Sequence, residues 1–209
     1  MQTLTYHTNY VYKIIELKNK NLVSCSADKS IIFYIKDNNQ YLKDFSITTN
    51  DKCSPVIQTK EKEICYSEET NKAICFFDLH QRKSISKINN INKRIGYYDW
   101  YLMMNKDLLL ITGENILSII NVNSKSLVRT INVPGSSWIN IGILLNENTI
   151  LTADNNFNII QWKIDGDNLT LVSKKEKANI KPIGTLLKIG NGLIVSGDDS
   201  GTIKIWSNK

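Results

Sequence analysis

The chain has 209 residues, is 42% hydrophobic and 22% charged, and carries a net charge of +6 that rests mostly on lysine, its arginines being Arg82, Arg94 and Arg129. That length suits one sizeable core, and the composition excludes disordered, fibrous and disulfide-scaffold classes. Residues 1–6 lack the basic start and apolar stretch of a secretory leader, and no run approaches the ~18 apolar residues of a membrane-spanning helix, so the sequence reads as soluble and intracellular, cytoplasmic or nuclear, with no membrane contact.

In chain order, residues 2–6 read as a strand ahead of His7. Val11 to Leu17, Leu22 to Ser26, Ile31 to Tyr34 and Tyr41 to Ile47 follow, with the turn Ala27-Asp28-Lys29-Ser30 between the second and third. The pattern then recurs. Its second copy reads Val56 to Thr59, Glu63 to Tyr66, Ala73 to Phe77 and Lys83 to Ile88, with a turn through Glu69 and Asn71. The third reads Trp100 to Met104, Leu108 to Thr112, Ile116 to Ile120 and Leu127 to Ile131. The fourth reads Trp138 to Leu144, Thr149 to Ala153, Asn158 to Trp162 and Leu169 to Lys174. The fifth reads Ile183 to Ile189, Ile194 to Gly197 and Thr202 to Trp206. These runs are short, rich in Ile, Val, Thr and aromatics, and bounded by Asn, Asp, Gly and Ser, which predicts strands; no segment sustains a helical stripe over three turns.

Five copies of strand, polar turn, strand at a spacing of roughly 42 residues match the period of a propeller blade. Ser196-Gly197-Asp198-Asp199-Ser200-Gly201-Thr202-Ile203-Lys204-Ile205-Trp206 resembles the core signature of a WD40 repeat, and Ser24 to Tyr34 repeats it with Tyr in place of Trp. Phe77-Asp78 and Trp162-Lys163 stand where that family carries Trp-Asp, whereas Ile120-Asn121 departs from it. The resemblance implies an all-β, WD40-type β-propeller forming a single domain over residues 1–209. Its five four-stranded blades are expected at about 8–47, 54–88, 98–131, 137–174 and 181–206, closed by residues 2–6 joining the last blade as its fourth strand; the alternative is part of a seven-bladed ring. It also implies a hydrogen-bonded tetrad within a blade, with the full set expected at His7, Ser26, Asp28 and Tyr34. Elsewhere the blades are expected to hold by packing, with Trp206 buried in the closing blade.

The candidate chemistry is sparse. Cys25, Cys53, Cys65 and Cys75 form no CxxC pair, and His7 and His80 lie far apart, so no metal site is expected and the cysteines read as small buried apolar residues. Cys65 and Cys75 fall on two strands of one hairpin. Paired acid and base catalysis needs two converging carboxylates. The starts of the inner strands offer Asn9, Tyr10, Ser54, Asp99, Ser137 and Lys181, of which only Asp99 is acidic, and no phosphate loop or nucleophile elbow is present. No catalytic residue, cofactor or metal is therefore assigned.

In the family that the repeats resemble, partners dock on the loops that enter the inner strands. That implication points to Tyr10, Arg94, Tyr98, Trp100 and Trp138, residue types that dominate protein interfaces. The densest cationic run, Lys174, Lys175 and Lys177 with Lys181, is a candidate basic patch for RNA or an acidic protein, set against its plainer role as lysine guarding a sheet edge. The sequence thus supports a non-catalytic scaffold for protein–protein contacts. A basic subunit of an RNA-containing particle is the alternative, and a five-bladed enzyme is a third reading that the lone carboxylate opposes.

Overall fold

The computed structural model describes residues 1–68, 73–89, 91 and 100–207. Glu69, Asn71, Arg94, Tyr98 and Asp99 lie outside them. The chain forms two compact units, Met1–Tyr97 and Tyr98–Lys209.

The first unit holds two antiparallel sheets. One runs in chain order through β1 (Val11–Glu16), β2 (Leu22–Ser26), β3 (Ser30–Asp37) and β4 (Gln40–Thr48). The other runs through β5 (Cys53–Lys60), β6 (Glu63–Glu68), β7 (Ala73–Asp78) and β8 (Lys83–Ile88). The second unit holds three. They are β9 (Tyr101–Met103) to β12 (Ser126–Asn132) through β10 (Leu108–Gly113) and β11 (Ile116–Asn121); β13 (Ile139–Asn146), β14 (Thr149–Asp154), β15 (Ile159–Asp165) and β16 (Asn168–Lys175); and β17 (Ile183–Lys188), β18 (Ile194–Asp198) and β19 (Ile203–Trp206). These are the five predicted repeats, here called blades one to five.

Each blade grades from apolar to polar. In blades one to four the second strand is buried on both faces: every residue of β6 and of β10 is buried. The fourth strands are mostly exposed and carry lysine, as in β8, or arginine, as in β12, where a charged edge discourages pairing with another chain.

A second regularity is invisible in the sequence. In all four four-stranded blades the register between the third and fourth strands shifts at one place, between Phe33 and Tyr34, Phe76 and Phe77, Ile119 and Ile120, and Gln161 and Trp162. That bulge sits directly before the aromatic position of the repeat, or before Ile120 in blade three. A bulge bends its strand and sharpens the local twist, so the recurring kink marks the copies as structurally equivalent even where their sequences diverge.

Consecutive blades within a unit share a core. In the first unit Val23, Cys25, Ile31 and Phe33 of blade one pack with Val56, Ile64, Tyr66 and Phe77 of blade two. Phe33, Phe45 and Phe77 stack at centroid distances of 4.1–6.3 Å, and Arg82 caps the stack 4.4 Å over Phe45 while pairing with Asp44 through both carboxylate oxygens. In the second unit Leu117 and Ile119 of blade three pack with Ile150, Ile160 and Trp162 of blade four, and Ile141, Leu151 and Ala153 of blade four pack with Ile183, Leu186 and Ile194 of blade five. Each large apolar side chain so buried contributes about 1.5–3 kcal/mol.

All four cysteines are free and buried. Cys65 lies directly opposite Phe76, so Cys75, one residue away along β7, points to the other face of the sheet and joins Cys25 and Cys53 in the first core. Burial pushes the Cys75 thiol up to about 11 and the Cys53 thiol well above its ordinary value, the latter reinforced by a hydrogen bond with Cys25.

Two expectations are corrected. Residues 2–6 belong to no ladder, and the fifth sheet has three strands. The segment is held to blade one by side chains instead: the Gln2 amide donates to the Tyr41 carbonyl at 2.7 Å and accepts from its N–H at 2.8 Å, and the Tyr6 ring lies 6.0 Å from that of Tyr34. Trp206 is half-buried, not buried, because no fourth strand among the described residues covers β19.

Candidate functional site

Blade one contains the expected tetrad, with one member changed. His7 Nδ1 lies 2.9 Å from Asp28 Oδ2, and His7 Nε2 lies 2.6 Å from the hydroxyl of Ser24, which is 3.2 Å from the Tyr34 hydroxyl. A carboxylate only accepts, so Nδ1 carries the proton and Nε2 accepts from Ser24, whose oxygen in turn accepts from Tyr34. The strand serine is thus Ser24 and not Ser26. Tyr34 pairs with Leu22 across the ladder, which brings its ring tip to Ser24, two residues along on the same face. Ser26 lies farther out, where its oxygen accepts the Asp28 N–H and its hydroxyl donates to the Asn9 carbonyl.

Asp28 organises the turn. It accepts from the N–H of Thr8 at 3.0 Å, the N–H of Ser30 at 2.9 Å and the Ser30 hydroxyl at 2.6 Å. Burial alone would raise its pKa, but the hydrogen bonds from Ser30, Thr8 and His7 outweigh it and hold the carboxyl at about 2.

Blade five builds the same chain from different residues. The Trp206 indole donates to Ser196 Oγ at 2.9 Å, Ser196 donates to Asn179 Oδ1 at 2.9 Å, and Asn179 Nδ2 donates to Asp198 Oδ2 at 3.2 Å. Asp198 also accepts from the N–H groups of Ile180, Ser200 and Thr202 and from the Ser200 hydroxyl. Burial opposes ionisation here too, yet these donors hold the carboxyl well below the usual carboxylate range. The sequence reading missed Asn179. A ten-residue interval joins Ser24 to Tyr34, Thr152 to Trp162 and Ser196 to Trp206, and the 17 residues from His7 to Ser24 also separate Asn179 from Ser196, a spacing that points to Asn179.

The other blades carry parts of the device. In blade four Trp162 donates to Thr152 at 2.9 Å, while Asp154 accepts from Ser136 at 2.7 Å and from Asn158. In blade two Glu68, at the end of β6, takes the acid's place; it accepts from Asn50 at 3.2 Å and pairs with Lys87 at 2.6 Å.

These networks fix the loops that enter the inner strands. The entry residue's carbonyl accepts an N–H from the opposite turn in three blades: Ala27 to Tyr10 at 2.9 Å, Asn155 to Trp138 at 2.9 Å, and Asp199 to Pro182 at 3.1 Å; in blade three Trp100 accepts instead from Thr112 of β10 at 3.0 Å. Tyr10 and Trp138 therefore occupy one equivalent position in their blades, and Trp100 opens blade three. Their side chains differ. Tyr10 is 78% exposed. Trp100 is half-buried against the core that contains Ile141 and Ile183, and Trp138 is half-buried beside its bridge to Glu114.

The basic run splits. Lys175, Lys177 and Lys181 are exposed. Lys174 is partly buried, with its amine 3.4 Å from the Gly135 carbonyl and 3.3 Å from Glu176. It borders a groove of about 350 Å³ lined by Val133, Pro134, Trp162, Leu169 and Leu171. Among the described residues no three of His, Cys, Asp and Glu converge as a metal-ligand set, and no helix is long and apolar enough to cross a membrane.

No protein-family model and no curated protein matches the sequence. Solved structures do match. The chain is similar to a chain of the mitotic checkpoint complex, with a TM-score of 0.82 at 14% identity over 99% of this chain and 64% of that one. It is also similar to the WD40 β-propeller domain of Doa1, with a TM-score of 0.79 at 15% identity over 100% of this chain and 67% of that one. The fold is a WD40-type β-propeller. The present chain thus spans about two thirds of the length of these two structures, with five blades. Within this propeller fold the tetrads sit beside the entry loops, so the residues that hold each blade together also fix the loop that opens it.

Proposed function

We propose that this protein is a non-catalytic scaffold whose entry loops hold segments of partner proteins. The observation that carries the reading is the repeated anchoring of the entry residue, with Tyr10 and Trp138 at equivalent positions. Binding to a pre-ordered loop avoids the entropic cost of fixing that loop on association, and Tyr and Trp are the side chains that interfaces use most efficiently. The carboxylates best placed for chemistry, Asp28 and Asp198, are each occupied by several hydrogen bonds from their own turns, which suits a structural role. The two matched structures, a checkpoint complex and a WD40 domain, fit a scaffold in general terms.

The test is affinity capture from native extract with and without nuclease, comparing the wild type with a Tyr10→Ala, Trp138→Ala variant of unchanged circular dichroism and melting temperature. The scaffold reading expects defined protein partners that survive nuclease and are lost in the variant. Partners lost on nuclease treatment but kept by the variant would overturn it in favour of an RNA-bound particle, with Lys175, Lys177 and Lys181 as the contact.

A further inference from the structure

Blades one and two fill the space between their outer strands with an aromatic side chain of their own; blades three and four put an arginine at that place. In the first pair Phe45 stands opposite Phe33, directly before the register shift, and stacks with Phe33 and Phe77. Arg82 lies 4.4 Å over Phe45, and the cavity left beside Phe33 and Phe45 is about 80 Å³. The register gives the same positions in the second pair. Ile131 stands opposite Leu117 as Ile47 stands opposite Ile31, and Trp162 follows the shift in β15 as Phe77 follows it in β7. The place of Phe45 is taken by Arg129, opposite Ile119.

Arginine does not close that place. The Arg129 side chain is 47% exposed, and its guanidinium reaches out to Asp167, in the turn between β15 and β16, at 3.8 Å. What remains is the groove of about 350 Å³, with Ile131, Pro134, Trp162 and Leu169 on its walls and Lys174 on its border. Leu171 also lines it and is 54% exposed, at the position where blade two sets Ser84 opposite Phe77. A cavity of about 150 Å³ is enough to hold benzene, so the groove admits an aromatic ring with room to spare.

We propose that this groove docks a short segment of a partner protein through one aromatic side chain, which takes the place that Phe45 takes between blades one and two. The charges around the groove set the rest of the segment. Directly opposed residues share a face, so Arg129 faces the groove with Ile119, which packs in one core with Trp162. Lys174 faces it from β16, opposite Ile160. The carboxylates that these two cations meet, Asp167 and Glu176, are 55% and 72% exposed. Ion pairs between exposed side chains are weak, so both cations can exchange them for carboxylates of a partner. The fitting segment is therefore acidic, aromatic, acidic: the ring supplies buried area, and the flanking carboxylates supply orientation and steering. Neither Tyr10 nor Trp138 lines this groove, so the site does not depend on the role of the entry loops.

The test uses the full chain and a fluorescent, end-capped seven-residue peptide with phenylalanine at its centre, two aspartates on each side and glycine at both ends. Anisotropy is expected to show saturable binding below about 1 mM. Binding should be lost when the phenylalanine is replaced by alanine, and weakened when the aspartates are replaced by lysine. Leu171→Glu, at an exposed position, is expected to weaken it about tenfold. Arg129→Phe supplies the ring from the chain itself and is expected to weaken binding by at least as much. Arg129→Gln removes the charge but leaves the groove open, so it should weaken binding only about two- to threefold. The peptide series needs no variant and decides the matter if a substituted chain fails to fold. The proposal is overturned by absence of saturable binding up to about 1 mM peptide, by equal binding of the phenylalanine and alanine peptides, or by a folded Leu171→Glu or Arg129→Phe protein that binds as the wild type does.

Discussion

In blade one a histidine links Asp28 to Ser24 and a tyrosine ends the chain; in blade five an asparagine links Asp198 to Ser196 and a tryptophan ends it. The order of donors is the same in both, from ring to strand hydroxyl to loop side chain to turn carboxylate. What differs is where the acid sits. Asp28 lies four residues after Ser24, out in the turn, where His7 Nδ1 meets it, while Nε2, one bond farther from the backbone than either polar atom of a carboxamide, reaches Ser24. Asp198 lies two residues after Ser196, at the strand end, where the two δ atoms of the Asn179 carboxamide meet both groups. The network is thus defined by the spacing of its end points and by a bifunctional side chain between them, and not by a fixed residue type. The two blades differ also in burial: Tyr34 is 4% exposed, whereas Trp206 is half-buried beside an open edge.

The largest effect that probes this contrast is expected at the indoles. Trp162→Ala, at a position 3% exposed, should destabilise by about 3–5 kcal/mol, since a full cavity is left in a shared core. Trp206→Ala should cost only about 2 kcal/mol, because part of that ring already faces solvent. Urea denaturation measures both, and equal losses would break the distinction between a covered blade and an open one.

Next comes the turn carboxylate. Asp28→Ala strands the donors of Thr8, Ser30 and His7 and should cost about 2–3 kcal/mol. A loss under about 0.5 kcal/mol would mean that water replaces the carboxylate without penalty.

Acid should act through the same group. Its folded pKa of about 2 lies below the ordinary value of an unfolded aspartate, about 3.9. The unfolded chain therefore binds the proton first, so the contribution of Asp28 is full above about pH 5 and is lost as pH falls from there through about 2. Denaturation midpoints between pH 5 and pH 2.5 should fall for the wild type and fall less steeply for Asp28→Asn. Some slope should persist in that variant, because the Asp198 carboxyl is held low as well. Identical slopes would remove Asp28 from the acid response.

The smallest effect sharpens the comparison most. His7→Asn gives blade one the linker of blade five but leaves the acid at its longer spacing. It should cost about 1 kcal/mol, one net hydrogen bond, whereas His7→Ala should cost measurably more. If His7→Asn and His7→Ala were equal, the carboxamide would not reach, and spacing alone would set which linker a blade accepts.

Much of the fold was legible in the chain. The run from Ser196 to Trp206 announced β18 and β19, found at Ile194–Asp198 and Ile203–Trp206, because a small residue, a polar turn and an apolar strand at a fixed interval leave a hairpin little freedom. His7, Asp28 and Tyr34 were legible for the same reason. Asn179 was not, since in a chain so rich in asparagine its type carries little information. Ser24 was displaced to Ser26 in the sequence reading because both serines lie on one face of β2, and only the register of Tyr34 with Leu22 chooses between them.

The amino-acid sequence by itself thus determined the repeat, the strands and the all-β class, which depend on local alternation and turn chemistry. Only the tertiary structure decided which polar groups meet, that the bulge recurs before each aromatic position or its counterpart, and that Gln2 holds its segment by a side chain and not by a strand. Those outcomes depend on register and on neighbours distant in the chain. A shift of one residue turns every side chain to the opposite face, and no local pattern in this sequence encodes that choice.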